Sequence, residues 1–187
     1  MKATPVSELP GLLVISGLTH RDERGFFQEI YHRDKLEAAG LSARFVQDNH
    51  SRSHLRVLRG MHFQHPKQQG KLVAVLRGEV FDVAVDVRVG SPFFGRWFGI
   101  RLSEANGLRL YVPGDFAHGF LTLSPEADVV YKCTDVYAPQ SEHTLLWSDP
   151  DVGVEWPGIP ALVSAKDMAG RTLKELQRRG KLPSYRL

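Results

Sequence analysis

Short runs of β-branched and aromatic residues recur along this chain, each closed off by Gly, Pro, Asn or Asp, and helical periodicity is scarce. Such runs send side chains alternately to two faces and must pair to satisfy their backbone, so the pattern calls for a β-sandwich or barrel. The runs that read as strands are Leu12–Leu18, Phe26–Tyr31, Phe45–His50, Val57–Gln64, Lys71–Val75, Glu79–Arg88, Arg96–Leu102, Leu108–Val112, Val129–Thr134 and Thr144–Trp147. Arg77-Gly78 and Asn106-Gly107 carry tight-turn chemistry, which leads one to expect antiparallel neighbours. Within Glu79–Arg88 the odd positions Phe81, Val83, Val85 and Val87 are apolar, while Asp82, Asp86 and Arg88 share the other face. One face is expected to be core and the other wet or functional.

Two segments read as helical: one after Asp34, ending near Gly40, and one from Ser164. Ser164-Ala-Lys-Asp167 resembles a capping box, and Met168, Leu173 and Leu176 supply apolar spacing. The stretch Arg178–Leu187, with Gly180 and Pro183, is expected to be loosely held.

A length of 187 residues suits one domain, spanning 1–187, with no internal repeat or linker. With 42% hydrophobic and 24% charged residues the composition is that of a globular protein, not a disordered or fibrous one. Net charge is 24 − 21 = +3 with the two signs interleaved, which argues against a nucleic-acid partner. One cysteine, Cys133, cannot form an internal disulfide, so a cytoplasmic setting is the expectation. The apolar run Leu12–Ile15 is too short for the core of a signal peptide, and none approaches the roughly 20 apolar residues that cross a bilayer, so no membrane association is expected.

The chain has no Gly-rich phosphate loop and no Gly-x-Ser-x-Gly elbow, and Cys133 lies in an alternating run where an inert thiol fits best. Metal is weighed because there are eight histidines. His62-Phe-Gln-His65, however, spaces its histidines so that a strand sends them to opposite faces. With His118 that leaves two credible ligands where a transition metal needs three or four, so no metal is expected. The informative set is polar: Arg24, Glu29, Gln47, Asn49, Arg59, His62, Lys71, His118, Tyr131, Lys166 and Asp167. These residue types can bind an anion and move a proton. Abstraction of a C–H proton beside a carbonyl needs a base, a donor for the enolate oxygen and an acid, and the substrate's own ketone takes the electrons. No cofactor is required.

Gly107 to His118 resembles the second motif of the cupin superfamily, and a longer ordered set resembles one family within it, the dTDP-4-dehydrorhamnose 3,5-epimerases. The residues that carry it are Asp22-Glu-Arg-Gly-Phe-Phe27, Gln47-Asp-Asn-His-Ser51, Val57-Leu-Arg-Gly-Met-His-Phe-Gln64, Gln69-Gly-Lys71, Gly78-Glu-Val-Phe-Asp-Val-Ala-Val-Asp86, Ser91-Pro92 with Phe94-Gly95, Phe116-Ala-His-Gly-Phe120, Tyr131-Lys132, Trp147 with Asp149-Pro150, Trp156-Pro157 and Lys166-Asp167. The resemblance implies an all-β, jelly-roll, cupin-like fold with short peripheral helices. It implies inversion of C3 and C5 of dTDP-4-dehydro-6-deoxy-glucose, giving dTDP-4-dehydro-L-rhamnose, without a cofactor. A relative that inverts one centre would share these residues, so the choice between one centre and two stays open.

The resemblance also implies roles. His62 is the base, with Asp167 on its far nitrogen; Tyr131 is the acid on the opposite face; Lys71 and His118 lie near the sugar, Lys71 at the enolate oxygen. Arg24, Arg59 and Lys166 meet the pyrophosphate, Glu29, Gln47, Asp48, Asn49 and Glu142 position the nucleotide, and Tyr137 stacks on thymine. Relatives are homodimers whose N-terminal region reaches the partner's site, so Arg24 and Glu29 are expected to act in trans. Read singly, each residue has a structural explanation: Asp167 as a helix cap, Tyr131 as a strand aromatic, His118 as a core histidine, Lys71 as an edge residue. Arg56, Phe63 and Val163 depart from the family's usual glycine, tyrosine and leucine. Strict alternation would put Arg59 and His62 on opposite faces, so a bulge is expected at Gly60.

Overall fold

The computed structural model describes residues 1–185. In chain order its elements are β1 (Lys2–Pro5), β2 (Leu13–Ser16), β3 (Thr19–Asp22), β4 (Gly25–Gln28), α1 (Arg33–Ala38), β5 (Gln47–His54), β6 (Val57–Gln64), β7 (Lys71–Arg77), β8 (Glu79–Asp86), β9 (Trp97–Ser103), β10 (Arg109–Val112), β11 (Phe116–Thr122), β12 (Glu126–Cys133), β13 (Glu142–Thr144), β14 (Leu162–Val163), α2 (Ala165–Met168) and α3 (Leu173–Arg178). The first sheet has the order β1-β2-β10-β7-β12-β5; the second runs β13-β6-β11-β8-β9, with β14 added in parallel to β6. A separate hairpin, β3–β4, pairs with neither.

The chain passes from one sheet to the other at β5–β6, β6–β7, β7–β8, β9–β10, β10–β11, β11–β12 and β12–β13, the winding of a jelly roll. Arg77-Gly78 and Asn106-Gly107 therefore turn the chain between sheets and do not close hairpins. A turn motif sets a local change of direction, and the packing of the two sheets decides which strand lies alongside. Gly78 sits at φ +78°, where a Cβ would come within 2.1 Å of the Glu126 carbonyl oxygen, so the crossing needs glycine. β11 escapes the sequence reading because all seven of its residues are buried, which removes the alternation that marks a half-exposed strand.

Alternation on β8 divides two cores. Val80 and Ala84 face Val73, Val75, Leu110 and Val129 inside the sandwich. Phe81, Val83, Val85 and Val87 pack outward against Leu145, Val152, Leu173, Leu176 and Leu182 from the C-terminal third. The face expected to be wet or functional is interior and not wet: Asp82 and Asp86 are fully buried with partners, Asp82 with His118, Asp86 with Arg88 and Ser91. Each fully buried aliphatic side chain contributes roughly 1.5–3 kcal/mol. The C-terminal segment therefore anchors the second sheet, and the loosely held tail is corrected accordingly. Val89 N–H donates to the Pro183 carbonyl at 2.8 Å, Tyr185 N–H to Val89 at 2.9 Å, and the Arg88 guanidinium lies 4.3 Å and 5.0 Å from the ring centres of Phe116 and Tyr185. Residues 186–187 of that stretch lie outside the described residues.

The helices also differ in detail. α1 is capped by the His32 side chain, while Asp34 pairs with Arg33. The expected C-terminal helix is two short ones: α2, capped by Ser164, and α3, where Thr172 and Glu175 form the reciprocal capping box. Asp167 donates its backbone N–H to Ser164 Oγ but sends its carboxylate elsewhere, and Met168 is on the surface.

Candidate active site

Lys71, Tyr131 and Asn49 reach the space between the sheets because they share strand parity with interior residues. Lys71 shares the parity of Val73 and Val75 on β7, and Tyr131 that of Val129 on β12. Register sets Cys133 opposite Lys71 and Gln47, and Tyr131 opposite Val73 and Asn49. From the other sheet, His62 of β6 lies opposite His118 of β11. The pairing then jumps from His118↔His62 to Phe120↔Arg59, so β6 carries one extra residue between them, and Gly60 takes φ +125°. This bulge turns both Arg59 and His62 into one cleft of about 520 Å³, shared with Lys71, His118, Tyr131 and Asp167. A Cβ on Gly60 would come within 2.6 Å of the Gly119 Cα, so only glycine allows the two strands this approach. Two residues after β5, Arg56 adopts φ +73°, the conformation that explains the glycine usual there in the resembling family.

His62 Nε2 lies 2.6 Å from Asp167 Oδ1, and Asp167 also accepts the Gly60 N–H at 3.3 Å. Burial of the Asp167 carboxyl would raise its pKa, but the His62 bond and charge, with the Gly60 and Ser164 bonds, hold it below the ordinary carboxylate value. An ionised Asp167 keeps the proton on Nε2 and leaves Nδ1 as the basic nitrogen of the ring. His118 repeats the arrangement inside the barrel, with Nε2 3.0 Å from both oxygens of Asp82. Lys71 is enclosed, and burial pushes its ammonium below the usual lysine value against the opposing charges of Cys133, Asp82 and Glu142. Its one hydrogen bond runs to the His62 carbonyl at 3.5 Å, leaving donors free for a developing oxyanion. Burial raises the Tyr131 phenol, reinforced by Cys133 and Glu142 and opposed by Arg59, so it stays protonated at neutral pH.

A second compartment of about 240 Å³ opens on the same His62, Lys71 and Tyr131 and is lined by Gln47, Asn49, Tyr137 and Glu142. Glu142 accepts from Lys166 at 2.6 Å and from the Tyr137 hydroxyl at 2.9 Å. Burial opposes its ionisation, and those two bonds outweigh burial to lower its pKa. Gln47, Asn49, Arg59, His62, Lys71, His118, Tyr131, Tyr137, Glu142, Lys166 and Asp167 are therefore brought together.

Three of the expected residues are not. Asp48 has the opposite parity to Gln47 and Asn49, so it points outward and pairs with Lys132 at 2.7 Å. Arg24 stands exposed at the tip of the β3–β4 hairpin, bonded to Asp22, and Glu29 at its base pairs with Lys35 at 2.8 Å. Neither lines the cleft of its own chain. The set of candidate site residues lacked Asp82, although a carboxylate between Phe81 and Val83 in an apolar strand was its signal, and Ser51, whose buried hydroxyl lines the cleft without a protein partner.

A sequence model of the dTDP-4-dehydrorhamnose 3,5-epimerase family matches residues 6–175. The dTDP-4-dehydrorhamnose 3,5-epimerase of Methanothermobacter thermautotrophicus is 46% identical over 172 residues, covering 90% of this chain and 93% of its own. The structure of the Legionella pneumophila dTDP-6-deoxy-D-glucose-3,5-epimerase in complex with dTDP-4-keto-L-rhamnose superposes with a TM-score of 0.94 at 46% identity, covering 100% of this chain and 99% of the other. A 3'-monoepimerase from Streptomyces bikiniensis in complex with dTDP-quinovose gives 0.91 at 36% identity, covering 99% and 93%.

Proposed function

The chain belongs to the dTDP-4-dehydrorhamnose 3,5-epimerase family, and from that premise we propose how its residues invert a dTDP-linked 4-keto-6-deoxy sugar. The protein is an isomerase with the family's cupin-type jelly roll. His62 Nδ1 takes the proton from the carbon beside the ketone, and the C–H electrons move onto the C4 oxygen. Asp167 stabilises the imidazolium, and Lys71 donates to the enolate oxygen as charge gathers there. Tyr131 returns a proton to the opposite face of the carbon; before the next abstraction its phenolate regains a proton and the His62 imidazolium gives one up, both by exchange with solvent. C3 and C5 both flank C4, so one base and one acid serve each in turn. Arg59 and Lys166 take the diphosphate, and Gln47, Asn49, Glu142 and Tyr137 the nucleoside. His118, held by Asp82, contacts the sugar.

The observation that carries this reading is the 2.6 Å His62–Asp167 bond in a cleft that also holds Lys71 and Tyr131. We infer further a homodimer in which the β3–β4 hairpin, bearing exposed Leu18, Phe26 and Phe27, carries Arg24 and Glu29 to the partner's nucleotide. A cytosolic setting fits the buried free thiol of Cys133. Likeness to a 3'-monoepimerase supports inversion at C3 alone as the second reading. Incubation with dTDP-4-keto-6-deoxyglucose in D₂O, followed by NMR, separates the two: deuterium entering C3 and C5 supports double inversion, deuterium at C3 only the alternative. His62→Ala is expected to abolish exchange while sparing dTDP binding; exchange that survives removes His62 from the base role.

A further inference from the structure

Arg109 is the largest fully buried side chain apart from the apolar core, 1% exposed at the start of β10, and it belongs to no ion pair among the described residues. Leu110 faces the sandwich interior, so Arg109 points to the outer side of the first sheet. There its Nη2 donates to the Glu29 backbone carbonyl at 3.1 Å, while Nε and Nη1 have no protein partner. A buried guanidinium with one neutral acceptor costs stability, and an apolar side chain of similar volume would avoid that cost. What the residue holds explains its presence.

The guanidinium lies at the root of the β3–β4 hairpin, between its two ends. At the entry, Gly17 leaves it room: a Cβ there would lie 3.4 Å from Arg109 Nη1 and 3.9 Å from the Glu29 oxygen. At the exit stands Glu29, whose carboxylate is turned to Lys35. Because the hairpin pairs with neither sheet, two bonds alone join residues 17–30 to the rest of the described chain: Lys35 to the Glu29 carboxylate and Arg109 to its carbonyl. Only the second comes from the sandwich. The amide of Gln28, bonded to Thr19, packs beside Gly107, which brings the same loop against the hairpin stem.

We propose that Arg109 is a positioning residue for nucleotide binding: it fixes the angle at which the hairpin leaves the sandwich, and so where Arg24 and Glu29 arrive on the partner's dTDP moiety. This rests on the trans arrangement proposed above. Arg109→Met removes the anchor together with the buried charge, so the KM for the keto-sugar and the Kd for dTDP are expected to rise about tenfold with kcat little changed, as for loss of one buried hydrogen bond. The thermal midpoint is expected not to fall, because the orphaned guanidinium goes too. Arg109→Lys, which can still reach the Glu29 carbonyl, is expected to recover part of the affinity. Mixed dimers of Arg109→Met and His62→Ala protomers carry one productive site, served by a hairpin rooted on an intact Arg109, and its KM is expected to return to the wild-type value. An Arg109→Met Kd within about twofold of wild type, or a KM that stays raised in the mixed dimer, overturns the proposal. Turnover by the wild-type chain tests the epimerase reading separately, since the dTDP affinities are measured without it.

Discussion

Replacing Asp167 by Asn preserves shape and the acceptor for the Gly60 N–H but removes the charge 2.6 Å from His62 Nε2. The Asp167 side chain is 5% exposed and that of His62 28%, so the pair is shielded without being dry. At an effective dielectric of about 20, unit charges at that separation attract by roughly 6 kcal/mol, an interaction present in the imidazolium formed on proton abstraction and absent from the neutral ring. Residual solvent and the amide dipole reduce this to about 4–5 kcal/mol, and at about 1.36 kcal/mol per decade kcat is expected to fall about 10³–10⁴-fold. The assay is the rate of deuterium uptake from D₂O, with dTDP affinity as the control for folding. Stability carries a second sign. The Asp167 pKa is depressed in the folded state, so its contribution is present above the ordinary carboxylate range and is lost as pH falls through the folded value. The wild-type advantage over Asp167→Asn in thermal midpoint should therefore be largest near neutrality and shrink in acid. A loss of exchange below about tenfold with dTDP binding intact would refute the assignment of Asp167 to the imidazolium, and a stability gap that widens in acid would refute the linkage.

Tyr131→Phe removes the group proposed as the acid and leaves the proposed base. Solvent deuterium should still enter the substrate while inverted product falls roughly 10²–10⁴-fold; loss of exchange and product in parallel would place Tyr131 on the base's side of the reaction. Gly60→Ala would force a Cβ to 2.6 Å from Gly119 Cα and 2.9 Å from the His118 carbonyl oxygen, at φ +125°. Overpacking and backbone strain together should cost about 2–5 kcal/mol and displace Arg59 and His62, read as a lowered denaturation midpoint and lost activity. A variant as stable and active as wild type would show that the bulge does not depend on glycine.

The candidate residues were legible in the ordered motifs that resemble the family, and strand parity accounts for the faces on which they stand. Val73, Val75 and Val129 set which face Lys71 and Tyr131 occupy, and the same rule, applied to Asp48, would have turned it away from the cleft that Gln47 and Asn49 enter. Gly60 announced its bulge because alternation and chemistry disagreed there, and the extra residue in β6 resolves the conflict. β8 was legible only in part, because parity says which residues share a face but not what covers it. Its even face lies inside the sandwich, and its odd face lies under Leu173, Leu176 and Leu182 from the far end of the chain. The tail was misjudged for the same reason: Gly180 and Pro183 describe a chain unsuited to a helix, while Arg88 and Val89, distant in sequence, hold it.

The sequence alone determined the class of fold, the presence of residue types suited to acid–base chemistry and the sides of their strands on which they stand, since these follow from local geometry and side-chain type. Tertiary structure decided which of them meet. Asp167, equally suited to capping a helix, became the partner of a histidine 105 residues away because α2 packs beside β6, and Arg109 became the root of a hairpin because β10 runs under Gly17 and Glu29. Periodicity is encoded every second residue; contact between distant segments depends on how two sheets close over a common core, and no local pattern specifies that.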